Sequence, residues 1–206
     1  IDQIIANRPF NNVEELLFNE NISYSKLNKK GIDVLARSQA LNCLMDERFT
    51  GLKHFWSAIA VDRPKTKKKL DENVETYKEE ADFTNEEKIH YLDSLTGVYP
   101  IDMVVDEAII DNFVKYKIPP LGDFDPALKI AWFIPKEIVE KKTKHGKTYW
   151  IVKTIDGSSK LNSIKCWGVR DGDTLALNRP YMAKLDYNSK WGFSTRSIKY
   201  NFKLVG

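Results

Sequence analysis

A Pro119-Pro120-Leu121-Gly122 cluster separates two hydrophobic rhythms, and a chain that carries both cannot fold as one uniform layer. Before the cluster, apolar residues recur at helical spacing; after it they alternate with polar ones, as in half-buried strands. The pattern predicts an α+β, multi-domain chain: a helical module over 1–70, an acidic helical linker region over 71–122 and a β domain over 123–206. At 206 residues the chain is long enough to bury real cores in each part.

The N-terminal stretch reads as short helices. Asn12 can cap a helix from Val13, with Glu14 and Glu15 in the first turn where the dipole favours acids. Ser25 is the expected cap of a second helix through Leu27 to Ala36. Ala40, Leu41, Leu44 and Met45 mark a third, and Leu52 to Ile59 a fourth that Pro64 stops. Short helices joined by tight turns make helical hairpins whose turn amides can grip phosphates. The Lys65–Lys69 run has two readings, a phosphate-contacting run and the favoured one of a solvated linker, and the acidic stretch from Asp71 to Glu87 reads as a surface helix or connector outside any core. Helical character returns at Glu86–Tyr91, is broken by Gly97-Val98-Tyr99-Pro100, and resumes over Ile101–Tyr116.

Five strands are expected in the β domain. The first spans Leu128–Val139, with Pro135 marking a bulge or an edge, and a lysine-rich turn over 141–147 leads to a second at Thr148–Ile155. Asp156-Gly157-Ser158-Ser159 turns into a third at Leu161–Trp167. Thr174–Leu177 and Trp191–Leu204 complete the set, which fits a small closed barrel of the OB type. Alternation puts Trp150, Val152 and Thr154 on one face of the second strand and Tyr149, Ile151 and Lys153 on the other. Ile164 and Cys166 likewise oppose Ser163, Lys165 and Trp167. If the mixed aromatic and lysine faces look outward, they form a stacking platform lined with phosphate-pairing charge, as single-strand binders require.

The net charge of +3 conceals a segregation. Residues 1–70 carry 12 basic against 8 acidic side chains, residues 71–127 carry 4 against 15, and residues 128–206 carry 16 against 6. A C-terminal module at +10 beside a segment at −11 points to a polyanion partner. Two cysteines and three scattered histidines fit neither a disulfide scaffold nor a zinc centre. No apolar run approaches the roughly 18–20 residues that span a bilayer as a helix. The chain opens Ile1-Asp2-Gln3, with no initiator Met and no signal-peptide pattern, as expected of a piece of a longer protein.

The order of segments resembles the C-terminal half of the C-family replicative DNA polymerases, the polymerase III alpha subunits. Ile1-Asp2-Gln3-Ile4-Ile5-Ala6-Asn7-Arg8, then Phe10 and Val13-Glu14-Glu15-Leu16, looks like the segment that leaves the fingers. Leu27-Asn28-Lys29-Lys30 with Leu35-Ala36-Arg37-Ser38-Gln39-Ala40-Leu41-Asn42 resembles the family's helix-hairpin-helix. Glu87-Lys88-Ile89-His90-Tyr91-Leu92 through Thr96-Gly97-Val98-Tyr99-Pro100-Ile101-Asp102 is similar to its linker, and Lys142 to Trp150 with Asp156-Gly157 looks like its first OB hairpin. Three features depart from the family: Gln39 stands where it usually has a glycine, and Tyr99 where it has a histidine. The clamp-binding place around Ala81-Asp82-Phe83 lacks its glutamine, so clamp binding by that route is not expected.

The resemblance implies a non-catalytic, DNA-handling region of a DNA-synthesising enzyme in a bacterial cytoplasm or a phage-infected host. Duplex product would be held by Lys26, Lys29, Lys30 and Arg37. Single-stranded template would be held by Lys141, Lys142, Lys144, Lys147, Lys153 and Lys165 with Tyr149 and Trp167. Partners would be DNA, the rest of the polymerase chain and replisome proteins, with no membrane. No catalytic or metal-binding residue is assigned and no cofactor is expected in this region; the magnesium ions of nucleotidyl transfer belong to the palm. Two other readings stay open: a replisome protein-interaction module with little DNA contact, and a nuclease built on middle carboxylates such as Asp102, Asp106 and Glu107.

Overall fold

The computed structural model describes residues 2–158 and 160–205. Ile1, which opens the first resembling segment, and Ser159, the last residue of the expected turn after the second strand, lie outside them. The chain divides into two compact units, Ile1–Tyr99 and Pro100–Gly206: helices come first, and a curled, mixed seven-strand sheet occupies the C-terminal part.

The first unit contains α1 (Asp2–Ala6), α2 (Val13–Leu17), α3 (Lys29–Arg37), α4 (Leu52–Trp56), α5 (Lys67–Tyr77) and α6 (Asn85–Thr96). Asn12 caps α2 as expected, its side chain accepting from Glu15 N at 3.0 Å. Asn28, not Ser25, caps α3: its Oδ1 accepts from Gly31 N at 3.0 Å, so the helix starts one turn later than the sequence suggests. The third expected helix shrinks to a single 3₁₀ turn at Asn42–Leu44. α4 runs into a π-helical turn, Ser57–Val61, before Pro64. Such a turn loosens the carbonyl ladder. Asn73 of α5 answers it, donating from Nδ2 to Ala58 O at 2.9 Å and Asp62 O at 2.7 Å.

α5 differs from the expected surface connector. Leu70 and Val74 enter the core that Leu16, Ile32, Phe55 and Ile59 share, and the buried His54 ties α4 to α5. His54 Nε2 donates to Val74 O at 2.8 Å while Nδ1 accepts from Thr50 N at 3.0 Å. Three residues on one helical stripe suffice to dock a helix whose remaining surface is charged. α6 opens with a complete capping box at Thr84 and Glu87 and closes on Gly97, whose φ of 72° ends the helix in the left-handed region.

The second unit begins with a 3₁₀ turn at Ile101–Met103 and α7 (Glu107–Lys115). Its strands are β1 (Ile130–Lys142), β2 (Thr148–Ile155), β3 (Asn162–Cys166), β4 (Tyr181–Lys184), β5 (Asp186–Asn188), β6 (Gly192–Thr195) and β7 (Phe202–Leu204), in the order β5-β6-β3-β2-β1-β4-β7. β1 is shared: Ile130–Phe133 pairs with β4, and Ile134–Lys142 pairs with β2. The register shifts between Pro135 and Glu137, where the proline signals the expected bulge, and the sheet curls there into a half-barrel. The Pro119–Gly122 cluster lies within this unit. Leu121 is fully buried in the sheet's core, and Trp132 N donates to Pro119 O at 3.0 Å. Asp156 Oδ2 accepts from Gly122 N at 2.7 Å, and a Cβ on Gly122 would collide with Ser158 Oγ.

The strand count corrects the five expected. Thr174–Leu177 is not a strand; Gly172 and Asn178 on either side have φ of 90° and 53°, and only Leu175 of the four points into the core. Tyr181–Lys184 takes the place beside β1. The expected closing strand breaks at Ser197 into β6, a helical turn α8 (Ile198–Asn201) and β7, because β6 pairs in parallel with β3 while β7 pairs with β4 at the other edge. With β5 and β7 as free edges, the sheet is curled but open.

Candidate nucleic-acid interface

The β1–β2 hairpin sets the geometry of the basic surface. Thr143 Oγ1 accepts from His145 N at 3.3 Å and Lys147 N at 3.1 Å, and Gly146 takes φ 76° to close the turn. A turn fixed by its own threonine leaves the lysines free to face water: Lys141, Lys142, Lys144 and Lys147 are all exposed and carry no ion pair among the described residues. Lysines cannot be core, so a hairpin this rich in them is a charged finger.

Cross-strand register then sorts the faces. Trp150 pairs with Cys166 and Val152 with Ile164, and these four point into the core or pack against it. Tyr149, Ile151 and Lys153 of β2 therefore share the outer face with Ser163 and Lys165 of β3, as alternation predicts. Trp167 follows β3 on that face at 39% exposure, and its ring stacks on Tyr149 at 4.6 Å between centroids and 28° between planes. The two aromatics are assembled into a shelf before any ligand arrives.

An open cleft of about 730 Å³ lies between the hairpin and the loop that follows β3. Lys147, Trp150, Trp167 and Arg170 line it, together with the carboxylates Glu140, Asp171 and Asp173. Asp173 Oδ2 accepts from Arg170 N at 2.9 Å and so shapes the loop. Each wall mixes the signs, Glu140 with Lys147 on the hairpin and Asp171 and Asp173 with Arg170 on the loop, so the positive field comes from the exposed Lys141, Lys142 and Lys144 outside the cleft lining.

Not every residue singled out in the sequence is brought to this surface. Lys153 is exposed but paired with Glu137 at 2.8 Å. Lys165 donates to Trp191 O at 3.2 Å with its ammonium 5.3 Å from the indole centre. In the first unit Lys26, Lys29 and Lys30 are exposed, without ion pairs among the described residues. Arg37 is half-buried, joined to Asp33 by a short ion pair and placed 4.9 Å over the Tyr91 ring, so its guanidinium is committed inside the unit. The segment around Phe83 is also tied in: Phe83 is buried against Trp56 and Tyr91, and Asp82 accepts from Lys53 N at 2.8 Å.

Trp191 is the residue that strand alternation missed. It is 63% exposed in the turn between β5 and β6, flanked by Lys165 and by Lys190, whose ammonium stands 5.2 Å from the ring. The signal was Asn188-Ser189-Lys190-Trp191-Gly192, a turn in which Asn188 Oδ1 accepts from Lys190 N and Trp191 N and Gly192 takes φ 75°. Of the middle carboxylates, Asp106 is spent on capping α7, accepting from Ile109 N at 2.8 Å. Among the described residues no group of three or more His, Cys, Asp or Glu could hold a metal ion, and no helix is long and apolar enough to cross a membrane. No protein-family model matches this chain, and no curated protein matches it.

Proposed function

We propose that the chain is a DNA-handling region of a C-family replicative polymerase, holding single-stranded template on the curled sheet and duplex product on the helical unit. In this reading the sheet is an OB-type barrel and the helices around Lys29–Asn42 are a helix-hairpin-helix. The observation that carries the proposal is the Tyr149–Trp167 stack on the outer face of the sheet, beside a hairpin whose four lysines are exposed, with Trp167 and Lys147 also lining the cleft. Bases stack on such a shelf whatever their sequence, while lysines neutralise the backbone beside them. A first strand bent at a bulge and shared by both halves of the sheet is what curling a sheet toward a small, partly open barrel asks for.

The polymerase assignment rests on the ordered set of resembling segments. It gains support from Gln39, whose φ of 62° lies in the backbone region glycine serves, at the position where the family usually has glycine. The rest of the polymerase chain and replisome proteins are the further partners, and the metal-dependent chemistry belongs to the palm.

Fluorescence anisotropy with single-stranded, primed and duplex DNA across a salt series tests the proposal. Expected is binding strongest on single-stranded or primed DNA with a steep negative dependence on salt. Weak binding with a shallow salt slope assigns the basic sheet to a protein partner instead.

A further inference from the structure

The first unit buries a cation that none of its carboxylates matches. Arg63 is 7% exposed; its Nη1 donates to Tyr24 O at 3.1 Å, its guanidinium lies 3.8 Å over the Tyr24 ring, and its Nε meets no acceptor. Arg37 and Arg48, both less buried, have Asp33 and the Asp46–Glu14 pair respectively. Burial lowers the basicity of Arg63, with only Tyr24 opposing it. Arg37 Nε also lacks a partner but its guanidinium has Asp33, whereas Arg63 pairs with no carboxylate among the described residues, and a buried guanidinium without an acid is costly.

Two basic stretches far apart in sequence meet at this point. Tyr24 leads into Lys26, Lys29 and Lys30 at the start of α3, and Arg63 leads into Lys65 and the start of α5, with the Lys65 ammonium 5.5 Å from the same tyrosine ring. Neither α3 nor α5 has an acid in its first turn, and both open on lysines, whereas α2, α6 and α7 open on acids. In α5 Lys67 and Lys69 are already answered by Glu14 and Asp62, so the charge without an acid among the described residues is that of Arg63 and Lys65 here and of Lys29 and Lys30 at α3. Cations at a helix N-terminus oppose the dipole, and a bound anion relieves that cost.

We infer that Arg63, with Tyr24 and Lys65, forms a phosphate-anchoring site on the helical unit, filled by a backbone phosphate of duplex DNA or by a free phosphate. The duplex source rests on the reading of this unit as the part that holds product. A planar guanidinium presents two parallel N–H donors to a phosphate, and the Nε edge of Arg63 has no competing acceptor. The exposed Tyr24 ring, stacked on the guanidinium, holds its plane fixed and places the site one ring below the surface. Of the Lys65–Lys69 run, for which the sequence offers a phosphate-contacting reading beside the favoured solvated linker, Lys65 forms the rim of this site, while Lys67 and Lys69 are paired with Glu14 and Asp62.

The test is duplex binding of the full chain by anisotropy, wild type against Arg63→Gln and the surface variant Lys65→Glu. Each variant is expected to lose about tenfold in duplex affinity and to flatten the salt slope by about one unit, leaving single-strand binding on the sheet unchanged. Unchanged duplex affinity and slope in Lys65→Glu and in any folded Arg63→Gln overturn the duplex source. A second arm measures the thermal shift of the same proteins with inorganic phosphate and pyrophosphate. Stabilisation of the wild type that Lys65→Glu or Arg63→Gln abolishes, without a change in duplex binding, assigns the site to free phosphate. No response in either arm overturns the site. A wild type that binds no DNA yet is stabilised by phosphate through these residues separates failure of the DNA reading from failure of the site.

Discussion

Trp167 is the side chain on which the proposed platform turns, and its partial exposure makes it separable from the core. Base stacking on an aromatic is worth about 1–3 kcal/mol. Trp167→Ala is therefore expected to weaken single-strand binding roughly 5- to 150-fold with the fold intact, read by anisotropy beside a circular dichroism melt. An equal loss of melting temperature and affinity would make Trp167 a packing residue. Alternation alone could sort Trp150 from Tyr149, but not tell which face was wet, because both faces carry large apolar side chains. The cysteines separate in the same way. Burial pushes the Cys166 thiol up to about 12, whereas Cys43 is exposed. A thiol reagent should modify one cysteine per native chain, at Cys43, and both after denaturation. Gln39, at φ 62°, holds a conformation that costs an L-residue about 1 kcal/mol, so Gln39→Gly should raise the melting temperature slightly.

At the scale of elements, the β1–β2 hairpin carries the charge of the proposed interface and the prediction that isolates it. Glu at Lys142, Lys144 and Lys147 should weaken single-strand binding and flatten its salt slope, because three cations that release counterions are replaced by three anions. Binding that is unchanged in strength and slope removes the hairpin from the mechanism. This hairpin was legible because three signals agree in it: alternation, a glycine turn and lysines that cannot be buried. The later strands were not. Thr174–Leu177 alternates on paper, but its Ala176 N–H donates to the Tyr181 hydroxyl and not to a neighbouring strand. The parallel pairing of β6 with β3 is a long-range choice that no local pattern encodes. α5 escaped notice for the opposite reason. Its burial rests on Leu70, Asn73 and Val74 alone, and a polar Asn73 that satisfies the π turn looks in sequence like any surface residue.

Across the whole chain, the division into two units and the segregation of charge lead to one further expectation, about acid. Carboxylates held below their ordinary range lie in the first unit. The Lys67 ammonium, with Arg48 assisting against partial burial, holds Glu14 below the usual 4.5. Arg48 does the same for Asp46. Burial works against Asp82, yet Lys88 and the N–H groups of Lys53 and Phe83 keep it low. In each case the unfolded chain binds the proton more readily, so stability rises with pH through the carboxylate range. The contribution is complete above the ordinary value near 4.5 and is lost as pH falls through the lower folded value. Of the five tryptophans only Trp56 belongs to the first unit, where its indole N–H donates to Asp33 at 2.8 Å. With the four others replaced by Phe, the emission of Trp56 should report loss of the first unit's stability as pH drops below about 4.5. Glu14→Gln should cost about 1 kcal/mol at neutral pH and make the denaturant midpoint less sensitive to pH in that window, since the variant has no proton to gain there. An equally steep pH dependence in the variant would mean that the Arg48–Lys67 cluster does not couple Glu14 to the fold.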